Sequence, residues 1–261
     1  MKWRVVALVA AAAAAIAVVF LFPAIPQSEA YHNFADQRRV LGIANCLNVI
    51  SNAPFLFIGL AGMGLALRGT RAGKNLFVNT RERWPWFAFF AGVALTAFGS
   101  AWYHHRPDDH TLVWDRIPMT IGFMSLVAAV VAERISVRAG LRLLLPLIAL
   151  GVSSVTYWEI TQARGHGDLR PYAIAQFGSL LVLVLLFTLF PARYTRSLDF
   201  VVALAFYGVA KLFEAADKLI FAAGHIVSGH TIKHLFAALS TYWLLRMIRL
   251  RAPIHASSAH P

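Results

Sequence analysis

Tyr172–Leu189 reads YAIAQFGSLLVLVLLFTL, eighteen residues without one charged side chain. As an α-helix it would be about 27 Å long, close to the roughly 30 Å of hydrocarbon in a bilayer. Working outward, comparable apolar runs lie near Val5–Phe22, Cys46–Leu67, Pro85–His104, Val113–Val131, Leu143–Trp158, Phe200–Phe221 and Thr231–Ile248. Leu143–Trp158 is the shortest of them. Only helices and closed barrels satisfy the backbone in lipid, and these runs are too long and continuous for barrel strands. Composition agrees: 59% of residues are hydrophobic and 14% charged, against roughly 25% charged in a soluble domain. The mean hydropathy is +0.62. These values argue against a soluble enzyme, a disordered chain and a secreted disulfide scaffold. A lone cysteine, Cys46, allows neither an intramolecular disulfide nor a cysteine-rich metal site. The expected fold is all-α, a polytopic membrane helical bundle, with no internal repeat.

The net charge of +12 would suggest nucleic acid on a soluble protein. On a membrane protein it indicates loops facing an anionic cytoplasmic leaflet, and no nucleic-acid partner is expected. With the N-terminus inside, fifteen Lys/Arg fall on the inner side: Lys2, Arg4, Arg68, Arg71, Lys74, Arg81, Arg83, Arg134, Arg138, Arg142, Arg193, Arg196, Arg246, Arg249 and Arg251. Five fall outside (Arg38, Arg39, Arg106, Arg164, Arg170), and Arg116, Lys211, Lys218 and Lys233 lie within helices. Trp102, Tyr103, Trp114, Tyr157 and Trp158 fall near the expected outer helix ends, as an aromatic belt would. The N-terminal segment, 1–30, is read as a retained helix or a signal ending at Ser28-Glu29-Ala30. Its apolar length favours a retained helix.

Ionisable residues in membrane helices are costly and mark candidate sites. The third run ends Gly99-Ser100-Ala101-Trp102-Tyr103-His104-His105. The fourth begins Trp114-Asp115-Arg116-Ile117-Pro118-Met119, and the eighth His230-Thr231-Ile232-Lys233-His234. His230 and His234 are four apart and share a helix face, as do Ser100 and His104. A short loop after His105 makes runs three and four a hairpin. The topology then collects Ser100, His104, Asp115, His230 and His234 in one outer layer. Three imidazoles with an open position suit a catalytic zinc. In that reading His104, His230 and His234 hold the metal, Asp115 is the general base, and Ser100 hydrogen-bonds the attacking water or the oxyanion. On spacing alone, solvated or packed interfacial histidines remain the alternative. His105, His110 and His225 are expected in loops, and His255 and His260 in a disordered tail, 250–261. In the seventh run Glu214 is four residues from Lys218 and can pair with it. A packing network and a substrate or proton path are equally compatible with Lys211, Glu214, Asp217 and Lys218.

The set Ser100, His104, Asp115, Pro118, Met119, His230 and His234 resembles the alkaline ceramidases, within a wider superfamily of seven-helix membrane hydrolases that includes the adiponectin and progestin receptors. Asn45-Cys46-Leu47-Asn48-Val49-Ile50-Ser51-Asn52 resembles the first core helix of that family, and Asp217 an Asp of its penultimate helix. The resemblance spans about Tyr31 to Arg249. It implies a seven-helix core in 31–249, with the first helix an addition, an intramembrane zinc on three histidines, and hydrolysis of a lipid amide. Eukaryotic members carry an acidic calcium-binding run before the first core helix. Here Tyr31–Asp36 offers only Asp36, and Asn45 stands where Glu is expected, which argues against calcium dependence. The stripe Asn45, Asn48 and Asn52 is read first as helix–helix hydrogen bonding, and second as a cation site.

The expectation is a zinc-dependent amidohydrolase of a bacterial inner membrane, with both termini cytoplasmic and the active site periplasmic. It would cleave a ceramide-like N-acyl lipid into a long-chain base and a fatty acid. The bacterial placement follows from the N-terminus and the resemblance. The alternatives are a hydrolase of a non-sphingoid N-acyl lipid and a lipid-sensing receptor that retains the zinc site. Transport would call for paired broken helices, and no such pair is visible in the sequence.

Overall fold

The computed structural model describes residues 1–71 and 73–254, Lys74 by its backbone alone. His255, His260 and the rest of 255–261 lie outside the described residues. The chain is an all-α membrane bundle. In order run α1 (Lys2–Leu21), α2 (Cys46–Ile50), α3 (Ala53–Arg68), α4 (Arg83–His105), α5 (Asp109–Arg134), α6 (Val137–Ala163), α7 (Arg170–Ala173), α8 (Ser179–Leu189), α9 (Leu198–Ala215), α10 (Asp217–Gly224) and α11 (Gly229–Leu250). Short 3-10 turns, a two-stranded ribbon of Thr70–Arg71 with Lys74–Asn75, and one π-helical turn, Ile174–Gly178, complete the described elements. Six spans are long and apolar enough to cross a membrane: Lys2–Leu21, Cys46–Arg68, Thr80–His105, Asp109–Arg134, Val137–Ala163 and Arg170–Leu189. Two of the eight expected runs, now α9/α10 and α11, are helical but carry more charge. Of that charge, Lys211, Glu214 and Lys233 line the cavity described below.

Three of the expected runs differ in detail. The run from Cys46 breaks at Ser51–Asn52, because Pro54 has no N–H to give the carbonyl of Ile50. The short fifth run extends to Val137–Ala163, 27 residues, since its flanking arginines continue the helix beyond the apolar stretch. The seventh run turns at Ala216, between α9 and α10. That turn takes Lys218 out of register with Glu214, and Glu214 pairs instead with Lys211 and with Lys233, the latter at 2.7 Å.

Helix α4 packs on α3 and α5, α5 on α6, and α9 on α11, while α11 closes the bundle against α3. α1 lies at the periphery against α8 and the π-helical turn, with only Leu8 buried. Close approaches are made by glycine. A Cβ on Gly99 would stand 1.9 Å from the carbonyl oxygen of Trp114, and one on Gly92 would stand 2.6 Å from the nitrogen of Gly122. Pro118 removes the helical partner of that Trp114 carbonyl. The glycine seam therefore brings α4 and α5 together where Ser100, His104 and Asp115 stand. The connection between them is only 106–108. Asp108 closes it as a capping box, accepting from the backbone N–H of Thr111 at 2.6 Å.

At the opposite end buried acids lock the loops. Glu133 pairs with Arg251 at 2.6 Å and accepts from the Trp86 indole at 2.6 Å, and Tyr194 donates to Glu82. Residues 251–254 dock here, with the Thr195 amide donating to the Ala252 carbonyl at 2.9 Å.

Candidate metal centre

His104 sits on the last turn of α4 and Ser100 one turn before it. His230 and His234 occupy the first two turns of α11, and Asp115 the second turn of α5. All five are buried. Among the described residues, His104, His230 and His234 form the one group of three or more metal-ligating side chains whose donor atoms converge, within 4.8 Å of one another. His104 Nε2 is 3.1 Å from His234 Nε2 and 3.3 Å from His230 Nε2. Zinc–nitrogen bonds of about 2.0–2.1 Å at tetrahedral angles place ligand nitrogens about 3.3 Å apart.

The donor inventory points the same way. Ser51 Oγ lies 3.1 Å from the Asn48 carbonyl and 2.7 Å from His234 Nδ1. The carbonyl can only accept, so the hydroxyl proton goes there, and Ser51 accepts from the Nδ1–H of His234. Assigned in this way, His234 Nε2 carries a bare lone pair directed at His104. His104 Nδ1 is buried without a hydrogen-bond partner. A neutral His104 has one N–H and cannot donate to both neighbours while also satisfying Nδ1. A cation at the three converging Nε2 atoms accepts all three lone pairs and removes the need for His104 to donate to both neighbours, so the residues fit a metal ion, with the His104 Nδ1–H left buried without an acceptor. One contact competes: Lys233 Nζ lies 3.1 Å from His230 Nε2 and 2.7 Å from Glu214 Oε1. With a metal bound, Lys233 must turn to Glu214.

Several residues around the histidines carried no role in the sequence reading. Phe34, buried in the segment between α1 and α2, packs on His104 and His230 with ring centroids 4.7 and 4.6 Å away. Ser51 sits at the α2–α3 break that Pro54 produces. Arg116 was recognisable as a charge within a span, but not as part of the site. Two of the three stripe asparagines bond between elements: Asn45 Nδ2 donates to the His104 carbonyl at 2.8 Å, and Thr231 Oγ1 donates to Asn48 Oδ1 at 2.7 Å, while Asn52 Nδ2 donates to the nearby Asn48 carbonyl. Asp36 is held by Arg38, with both carboxylate oxygens 2.7 Å from the guanidinium. That pairing holds its carboxyl below the usual range. Asp217 ties two backbones, accepting from His230 N at 2.8 Å and Ala35 N at 2.9 Å. Among the other histidines, His105 ends α4. His110 lies in the first turn of α5 rather than in a loop, 3.2 Å from Glu159, and His225 follows α10.

Beside the centre opens a cavity of about 380 Å³. Its polar end includes Ser100, Asp115, Arg116, Lys233 and His234, and its apolar end includes Leu183, Phe200 and Leu244. From His234 to Leu244 along α11 is about 15 Å. No known family model matches the chain, and no curated protein matches it in sequence.

Proposed function

We propose that the chain is a zinc-dependent amidohydrolase acting on N-acyl lipids. The observation that carries this reading is the cavity. A largely apolar cavity between membrane helices is lined by a buried carboxylate, a buried hydroxyl and His234, the member of the histidine trio that reaches it. A fatty chain fills such a cavity and leaves its amide at the polar end. His104, His230 and His234 would hold the zinc, which when bound acidifies water and polarises a carbonyl. Asp115 takes a proton from the attacking water as its oxygen bonds to the amide carbon. Ser100 donates to the carbonyl oxygen as negative charge develops there. The C–N bond then breaks, and Asp115 returns the proton to the leaving nitrogen, yielding a fatty acid and an amine. Phe34 over the histidines limits access of bulk water.

A ceramide-like lipid is the substrate the family resemblance favours, and a non-sphingoid N-acyl lipid fits the same chemistry. The fifteen-to-five Lys/Arg bias supports an inner-membrane orientation with this layer outside and both termini inside. The test is incubation of purified protein with ceramide and a panel of other N-acyl lipids, scoring released fatty acid. Zinc-dependent release supports the reading. A protein that binds zinc and lipid but releases nothing from any of them is a receptor instead.

A further inference from the structure

Arg116 is 5% exposed, yet none of the ion pairs among the described residues includes it. Its guanidinium lies in an aromatic cage, 4.2 Å from the Trp158 ring, 4.6 Å from Tyr172 and 5.8 Å from Tyr31. Nη2 donates to Gln27 Oε1 at 2.5 Å, while Nη1 is buried without a partner. Cation–π contact offsets part of the desolvation of a buried cation, but it does not replace a counter-ion. Structural pinning alone would be met by a neutral donor. Arg116 also lines the cavity, whose charged lining is three cations (Arg116, Lys211 and Lys233) against two carboxylates, Asp115 and Glu214. Lys211 and Lys233 both already hold Glu214. Two lysines on one glutamate leave that cluster net positive, Asp115 makes no ion pair with Arg116, and a bound divalent metal would add further positive charge to the cavity. Tyr31, which lines the same cavity and is 38% exposed, is the least buried wall of the cage.

We infer that the cavity takes N-acyl lipids bearing an anionic group next to the amide, such as N-acyl amino acids, with Arg116 receiving that anion. This rests on the N-acyl lipid reading above and narrows its substrate class. A carboxylate and a phosphate share the required chemistry. A singly charged carboxylate matches the one guanidinium charge, which favours a monoanion.

The test uses purified full-length protein in neutral maltoside micelles. Tryptophan fluorescence reads binding, since Trp158 touches the guanidinium, and fatty-acid release is measured in parallel. The probes are N-oleoylglycine, the phosphate ester of N-oleoylethanolamine, and N-oleoylethanolamine itself, which has the same chain and amide without charge. N-oleoylglycine should bind about tenfold or more tighter than N-oleoylethanolamine, with the phosphate ester between them. Arg116→Gln should reduce the preference to within about threefold. Gln27→Glu keeps Arg116 and supplies an internal carboxylate, and it should reduce the preference in the same way. It thus guards against a misfolded Arg116→Gln. Equal wild-type affinities for the charged and neutral probes, or a preference untouched by Gln27→Glu, would overturn the inference. Release of oleate from N-oleoylethanolamine with no anion preference sinks this inference and leaves the amidase standing. Anion preference without release from any probe does the reverse.

Discussion

The Ser51 hydroxyl decides which nitrogen of His234 faces the other two imidazoles. Outer partners of this kind typically contribute 10- to 100-fold in metal affinity. Ser51→Ala should weaken zinc binding by that amount in chelator competition while leaving the fold intact. The ligands themselves should behave differently. Wild type should carry about one zinc per chain by elemental analysis, and His104→Ala with His230→Ala should carry none. Full retention in the double variant would remove the site as drawn. Asp115 separates a base from a ligand. Asp115→Asn keeps the shape but cannot take a proton, so it should slow turnover about 10²- to 10⁴-fold with zinc unchanged. Zinc loss there would make Asp115 a ligand. Lys233 lies 3.1 Å from His230 Nε2, where a metal would bind, so Lys233→Met should tighten zinc binding by about tenfold.

Close backbone approach between α4 and α5 sets where these residues stand. The approach of Gly99 to Trp114 leaves no room for a methyl group. Gly99→Ala should therefore push α4 from α5 and cost roughly 1–3 kcal/mol, visible as a lowered Tm in detergent. Because Ser100 and His104 ride on α4 while Asp115 rides on α5, turnover should fall further than stability alone accounts for. Gly64→Ala, on α3 with open space around its position, is the control and should leave turnover unchanged. The α2–α3 break has a comparable role. Pro54 interrupts the helix beside Ser51, whose hydroxyl contacts His234 on α11.

On the scale of the whole molecule, the bundle has two unlike ends. One carries the histidines under the 31–45 segment, tied by Arg38 to the carbonyls of His225 and Ile226 at 2.9 and 2.7 Å. The other carries the buried Glu82 and Glu133 clusters. In the proposed orientation the histidine end is the outer one. In a Cys46→Ala background, His110→Cys, whose parent side chain is 77% exposed, should react with an impermeant thiol reagent on spheroplasts. Arg71→Cys should react only after lysis. The reverse pattern would invert the orientation.

What the sequence determined by itself was local. Hydrophobic run length and helical spacing are properties of consecutive residues, so the helical bundle, the placing of His230 and His234 on one face, and the gathering of five polar residues in one layer could be read directly. Where charges cluster, local reading was weaker. Glu214 and Lys218 had the right spacing for a pair, but the turn at Ala216 separated them, and Glu214 reached Lys233 across α9 and α11 instead. The tertiary structure alone decided the remainder: Phe34 on the imidazoles, Ser51 on His234, and the cage that Tyr31, Trp158 and Tyr172 build around Arg116 from three separate segments. These contacts depend on how helices cross and how closely glycines let them approach. That geometry is set by the packing of distant elements and leaves no periodic trace in the chain.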